Sequence, residues 1–465
     1  MKSIETDYLV IGAGATGMAF ADTLLSETDH EIVIVDRRHQ PGGHWVDAYP
    51  FVELHQPSAY YGVNSLPLGQ DRIDLAGINA GFYERAGAAE IQHYYQRVLE
   101  ETFLPSGRIQ YHASSDYLGC EDDHHIIRSN ISGGITRVAV RRALVDASVV
   151  QSSIPACHTR TCEAEKGVTV VTPNQLVDIA NAKGFTVLGG GKTAMAVCFW
   201  LMQQGVAPDD ICWVRPRESW MTERSYTQPL SLVANMVKMQ AASTQFAAEA
   251  TSVPDYSVRM EAAGMSVRLD RDRDAIINRG ATISLPELSA LREIENVVRK
   301  GHVRAISQSA MIMDEGDVGS NPGRVYVDCT AAGLNSAAAA PIFEDGKISM
   351  HFTTMGVAPW SAAVIGFVET LDMTLEEKNR LCPALHRTGD IYGTMNIMRV
   401  GMPAEMARRQ VSEIAAWSAK ARLNPGRAIP DHMDDPEVQS SLGTMMQNYQ
   451  PALENIERLC AEHSG

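Results

Sequence analysis

Gly12-Ala13-Gly14-Ala15-Thr16-Gly17 fits the pattern G-x-G-x-x-G, and its setting decides the fold. The apolar run Tyr8-Leu9-Val10-Ile11 before it reads as a strand. The segment after it places Met18, Ala21, Leu24 and Leu25 on one face at helical spacing, and residues 31–35 read as the next strand. In such a strand–turn–helix–strand unit the first glycine makes the tight turn, the second lets a pyrophosphate approach the backbone, and the third lets helix and strand pack closely. The helix N-terminus then offers N–H groups and partial positive charge to phosphate. Asp36 closes the second strand, at about the 20-residue spacing where a carboxylate grips ribose hydroxyls. Gly12, Gly14, Gly17, Asp36 and the adjoining Arg37 are therefore the candidate contacts of a first dinucleotide.

The same plan returns in the middle of the chain. Phe185–Leu188 is a strand, Gly189-Gly190-Gly191-Lys192-Thr193-Ala194 fits G-x-G-x-x-A, and residues 194–204 form a helix with Val197, Cys198, Leu201 and Met202 together. Gly205 suits the helix C-cap, and Ile211–Val214 is the following strand. A P-loop reading of Gly191-Lys192-Thr193 fails, because it needs a glycine where Thr186 stands. After the next strand comes Arg215, with Arg217 close behind, instead of an acid; a guanidinium there suits the 2′-phosphate of NADP. Gly189, Gly191, Lys192, Thr193, Ala194, Arg215 and Arg217 are the candidate contacts of this second site.

Two such units predict an α/β chain with two Rossmann-like dinucleotide-binding domains, a helical insertion and C-terminal helices. Residues 1–165 and 319–465 are expected in the first domain and 166–318 in the second, with the insertion around 228–268. Residues 136–150 read as a strand pair, 287–299 as one helix, Ala407, Val411, Ile414 and Ala415 as another, and the polar tail after Pro425 as a surface wrap.

The 465-residue length suits two or three domains, and the 45% hydrophobic, 21% charged composition is that of a soluble globular protein. A net charge of −16 argues against nucleic acid as the main partner. No secretory signal is expected, since residues 1–6 run straight into the first apolar strand, and no apolar run approaches the ~18 residues of a membrane span. Eight scattered cysteines suit a reduced, cytoplasmic protein. Cys157 and Cys162 have the spacing of a redox pair but read as incidental thiols. Asp122-Asp123-His124-His125 reads as a solvated turn, since adjacent loop residues seldom converge on one ion, so no metal is expected.

With these stretches in hand, the chain resembles the flavin-containing (class B-like) monooxygenases of the two-dinucleotide-binding flavoproteins. Three segments carry the resemblance: Gly12–Gly17 with Asp36; Pro41-Gly42-Gly43-His44-Trp45 followed by Ala48-Tyr49-Pro50, similar to the family's G-G-x-W…Y-P; and Asp328-Cys329-Thr330-Ala331-Ala332-Gly333, similar to its later A-T-G-like segment. The resemblance implies FAD at the first site, near Gly43, His44 and Trp45, NADPH at the second, and cofactor contacts from Asp328, Ala332 and Gly333. It further implies transfer of one oxygen atom from O2 to a small organic molecule through a C4a-peroxyflavin. The family fingerprint F-x-G-x-x-x-H is missing between the cradles, and His55 stands about where a Baeyer–Villiger enzyme carries an aspartate. The chain reads as a divergent branch.

Such chemistry asks the protein for aromatic walls and a few donors, because the cofactor carries the hard steps. Residues 45–64 supply both, with His55 as a polar group near the ring and Gln56 and Asn64 as amide contacts. Trp220, Arg224 and Tyr226 are expected to border the nicotinamide. The partners implied are a small-molecule substrate and O2, not nucleic acid or membrane, with a homodimer allowed. Two other readings stand beside this one: a flavin-dependent oxidase or reductase with a vestigial nicotinamide site, and a non-catalytic nucleotide-binding protein.

Overall fold

The computed structural model of the protein describes residues 2–334, 340–355 and 357–464. Strand β1 (Lys2–Ile11) runs into the first glycine turn, helix α1 (Ala15–Glu27) and β2 (Ile32–Val35), whose four residues are all buried. Burial of both faces is why β2 is an unbroken apolar run, the pattern of a central parallel strand. After β3 (Ile109–His112) come an antiparallel hairpin, Ser115–Glu121 and His124–Ser129, and the long strand β4 (Ile135–Asp146). The expected strand pair over 136–150 is thus one strand, whose antiparallel partner lies upstream. Asp122 and Asp123 both take positive φ (48° and 59°) at the hairpin tip, so they serve a tight turn that matches strand twist.

The second unit comprises β5 (Thr169–Val171), β6 (Phe185–Leu188), α2 (Lys192–Gln203) and β7 (Ile211–Val214). An excursion follows through α3 (Val233–Glu249), α4 (Val253–Ala262) and α5 (Leu285–Leu291), before β8 (Val297–Val298) and β9 (Val325–Asp328). Residues 287–299 are therefore a short helix and an edge strand, not one helix. The chain then forms β10 (Lys347–Ser349), α6 (Ala358–Glu369), α7 (Ile391–Gln410), α8 (Ser412–Lys420) and α9 (Pro436–Ser464). The tail beyond Pro425 is thus largely helical.

The first sheet has the parallel order β10–β4–β1–β2–β3, and the second the parallel order β8–β7–β6–β9–β5. In each, the glycine turn leaves a central strand whose neighbours are reached in opposite directions, the switch point where open α/β sheets bind ligands. Strand β9 belongs to the second sheet and β10 to the first, so the return to the first domain comes after β9, later than the expected residue 319. The two crossings run side by side: Ser152–Ser153 pairs antiparallel with Gly333–Leu334. Each sheet has its own core, and α3, α4, α7 and α9 enclose a further one containing Met260, Met395, Ala452, Ile456 and Leu459. Among the described residues no helix is long and apolar enough to cross a membrane.

Candidate functional site

At the first turn Gly12 has φ +102°, a conformation L side chains rarely adopt. A Cβ on Gly17 would lie 2.0 Å from the Gly12 carbonyl oxygen, so the third glycine permits the helix–strand contact. A Cβ on Gly14 would meet the Gly43 Cα at 3.4 Å, and one on Gly43 would lie 2.8 Å from the Gly14 Cα. The Gly43 segment thus closes directly on the turn, and Gly42 N–H donates to the Ala13 carbonyl at 2.8 Å. Asp36 is buried and accepts from Ala13 N–H at 2.7 Å on one oxygen and from Arg38 N–H at 2.8 Å on the other. It braces the turn, and the remaining lone pairs of a carboxylate can still accept ribose hydroxyls. Arg37 is exposed. Trp45 is buried and donates from Nε1 to the Tyr61 hydroxyl at 2.7 Å. Burial, with the Arg38 charge adding to it, pushes His44 down to about 4, so its ring is neutral.

At the second turn Gly189 has φ +128°, with the Cys329 carbonyl 2.7 Å from where a Cβ would stand. A Cβ on Gly190 would lie 2.9 Å from the Arg217 carbonyl, whereas one on Gly191 would meet nothing within 4 Å. The Gly189 carbonyl accepts from Trp213 Nε1 at 2.8 Å. Helices α1 and α2 both start at a bare glycine with no side-chain cap, whereas Ser252, Ser284 and Asp390 cap α4, α5 and α7. First-turn N–H groups without a capping side chain fit a phosphate, and at Gly191 the space beside them is open. Both cradles therefore suit a dinucleotide.

Several expected contacts are placed otherwise. Arg215 is buried, with Nη2 3.3 Å from Glu218 Oε2 and its guanidinium carbon 5.0 Å from the Trp213 ring centroid. It packs beneath Gly190 and is already paired, so Arg217, exposed and without an ion pair among the described residues, is the guanidinium presented to solvent there. Lys192 turns inward to Glu287 and not toward the cradle. Asn64 accepts from Leu423 N–H at 3.0 Å, on a different surface pocket with Thr23 and Trp417, and does not join His55. Gln56 is half-buried and does not line the cleft described next. Trp220 is buried and donates to the Ala275 carbonyl at 2.7 Å, and Tyr226 packs on the helical core. Asp328 accepts from Thr330 N–H at 3.0 Å, the Ala332 carbonyl accepts from Arg279, and Gly333 (φ +72°) opens the crossing ribbon, so these three shape the interdomain turn. Thr193 faces Tyr49, and Ala194 is fully buried.

A cleft of about 440 Å³ lies where the segment 49–55 of the first domain meets α2. Phe51 from one side stacks on Trp200 from the other, centroids 4.4 Å apart and planes 14° from parallel. His55, Arg85, Lys192, Asn79 and Glu287 also line it. Glu287 holds Lys192 on one oxygen and Arg224 on the other, the latter at 2.8 Å. Burial pushes the Lys192 ammonium down to about 8, with Glu287 only partly opposing it, while burial and then Lys192 push His55 down to about 3. Burial raises Glu287, but Lys192 and Arg224 together hold it below the usual carboxylate range. Arg224, expected to border the nicotinamide, is fully buried against Glu287; Arg85 and Glu287 carry no sequence signal as site residues, because they are far apart along the chain and belong to no motif.

Residues 10–64 match the NAD(P)-binding Rossmann-like domain family. Uncharacterized proteins of Mycobacterium tuberculosis and Mycobacterium bovis are 38% identical over 448 residues, 96% of this chain and 82% of theirs. Among solved structures, polycyclic ketone monooxygenase from Thermothelomyces thermophila superposes with a TM-score of 0.50 at 13% identity, covering 98% of this chain and 90% of that one. The flavin-containing monooxygenase of Stenotrophomonas maltophilia gives 0.44 at 13% identity, covering 75% and 85%. The chain belongs to the family of these mycobacterial proteins, built on the two-Rossmann α/β fold that it shares with a flavin monooxygenase.

Proposed function

We propose that the protein is an FAD-dependent, NADPH-consuming monooxygenase that transfers one oxygen atom from O2 to a small organic molecule. The observation that carries this reading is the cleft in which residues 49–55, a few positions after the Gly43 turn of the first cradle, face the helix that starts at the second. An aromatic-walled cleft between the segment that follows the first cradle and the helix that follows the second suits electron transfer between two bound cofactors, with a substrate beside them. Bound FAD would supply the redox chemistry, accepting a hydride from NADPH and activating O2 once reduced.

The chain's own residues then do the positioning. The bare N-termini of α1 and α2 hold pyrophosphates, Asp36 accepts ribose hydroxyls, and Arg217 reads the 2′-phosphate. Phe51 and Trp200 exclude water from the cleft. His55, neutral at working pH, presents a hydrogen bond and not a charge, while Lys192 carries a proton at Nζ that it releases near pH 8.

The test is made on the purified protein. About one FAD per chain is expected, together with NADPH oxidation that consumes O2 and yields an oxygenated product. Arg217→Ala should slow flavin reduction by NADPH on the order of ten- to a hundredfold and leave NADH nearly unchanged. Colourless protein, or stoichiometric peroxide with no oxygenated product from any compound tried, would remove the reading. An unchanged NADPH-to-NADH ratio would remove the role of Arg217.

A further inference from the structure

We propose that the cleft takes its substrate by an anionic group, a carboxylate on a flat apolar body, held by Arg85 and Lys192; this rests on the cleft being the substrate site of the oxygenase proposed above. The floor of the cleft carries an excess of buried cation. Arg224 is fully buried, the Lys192 and Arg85 side chains are 12% and 7% exposed, and Arg85 lies close enough to the other two to disfavour their charges; Glu287, 4% exposed, gives its two oxygens to Lys192 and Arg224. The ion-pair partner of Arg85 is Glu53 at 2.6 Å, which is 52% exposed and therefore screened by solvent. Asp74, also at the cleft, accepts from Asn79 Nδ2 at 2.6 Å, and His55 is neutral.

A buried positive charge that lacks a buried counter-ion is costly, and so is a buried N–H without an acceptor. Both occur here: the Nε atoms of Arg85 and Arg224 are buried with no hydrogen-bond partner. An anion entering from the cleft supplies the missing negative charge beside Lys192 and Arg85, competing at Arg85 with the solvent-exposed Glu53 on Nη2, while Nη1 stays on the Leu54 carbonyl at 3.0 Å. Phe51, Phe199 and Trp200 offer a flat apolar wall for the rest of the molecule. A phosphate of the nicotinamide cofactor has the same anion chemistry, so the experiment must separate the two sources.

Phenylacetate and its uncharged analogue phenylacetamide are titrated into the purified protein by calorimetry, with tryptophan fluorescence as a second readout. Phenylacetate should bind about ten- to a hundredfold more tightly than the amide at pH 7. Lys192→Met and Arg85→Met should each abolish most of that preference while leaving amide affinity within about twofold, the internal check on folding; Lys192→Arg should retain it. The preference should weaken by pH 9, because Lys192, flanked by Glu287, Arg224, Arg85 and His55, loses its proton near 8. Equal binding of the two probes, or no saturable phenylacetate binding, overturns the proposal. So does competitive displacement of phenylacetate by saturating NADP+ or inorganic phosphate, which assigns the anion locus to the cofactor. Flavin content separates this from the oxygenase reading: flavin-free protein that keeps the preference sinks only the latter, and flavin-loaded, NADPH-oxidising protein without it sinks only the former.

Discussion

At the scale of single residues, two histidines link the candidate sites to acid stability. His44 beside the first cradle and His55 in the cleft are pushed by burial to about 4 and about 3, well under the ordinary value of 6.5. Between roughly pH 6.5 and 4 the unfolded chain therefore holds protons that the folded chain does not, so stability rises with pH across that window and is lost as pH falls. The denaturant midpoint should drop from pH 7 to pH 5, and the drop should be smaller in a His44→Gln/His55→Gln double variant; equal drops would mean the rings are not held neutral by the fold. Side-chain roles were the least legible feature of the sequence. Glycines and Asp36 were readable because backbone geometry fixes their spacing. Arg215 differs from its expected role because strand-end position says nothing about Glu218, which pairs with it in the interior, and Asn64 because its partner Leu423 lies 359 positions away.

At the scale of elements, legibility followed the strength of local pattern. Both strand–glycine–helix units stand close to where periodicity put them. The two-residue strand β8 was too short to show a period and exists because β7 offers it a ladder. Helix α9 was hidden by its polar composition and by Pro451, a residue that breaks isolated helices at a cost of about 3 kcal/mol. Packing overrides that cost: Ala452, Ile456 and Leu459 share one face, and the Asn455 amide donates to the Ala247 and Ala250 carbonyls at 2.8 Å. The two glycine turns also make unequal demands, which predicts an ordering of alanine variants. Gly17→Ala and Gly189→Ala place a Cβ against a carbonyl oxygen at 2.0 and 2.7 Å, the latter also at φ +128°, and should lower the melting temperature sharply or prevent folding. Gly191→Ala meets open space at φ −89° and should melt within a few degrees of the parent, yet lose reduction by NADPH because its methyl faces the phosphate's place. A Gly191→Ala protein reduced at the parent rate would show that nothing binds against that turn.

At the scale of the whole molecule, the two sheets have separate cores; the chain passes between them at the short ribbon of Ser152–Ser153 and Gly333–Leu334, and hydrogen bonds such as Asn174 Nδ2 to the Asp47 carbonyl at 3.1 Å also cross. Their relation is partly legible: two repeats of one plan imply two domains, but the return point is not, because the apolar run of β9 would suit either sheet and β10, Lys347-Ile348-Ser349, is too short and polar to show as a strand, so only pairing assigns them. With so slight a covalent tie, the mutual placement of the cradles depends on contacts across the cleft, and the Phe51–Trp200 stack is the largest apolar one lining it. Aromatic pairs of this geometry contribute about 0.5–1.5 kcal/mol beyond the area they bury. Neither ring belongs to a glycine cradle, so Phe51→Ala and Trp200→Ala should each keep about one FAD per chain and bind NADPH with near-parent affinity. The step that needs both domains aligned should suffer instead: flavin reduction by NADPH should slow several-fold in each single variant. Because each substitution removes the same contact, the double variant should be little slower than either single one. Stopped-flow reduction of the four proteins at saturating NADPH measures this directly. Multiplicative losses in the double variant would mean that the rings act separately, and parent rates throughout would mean that the cradles are aligned by something other than this stack.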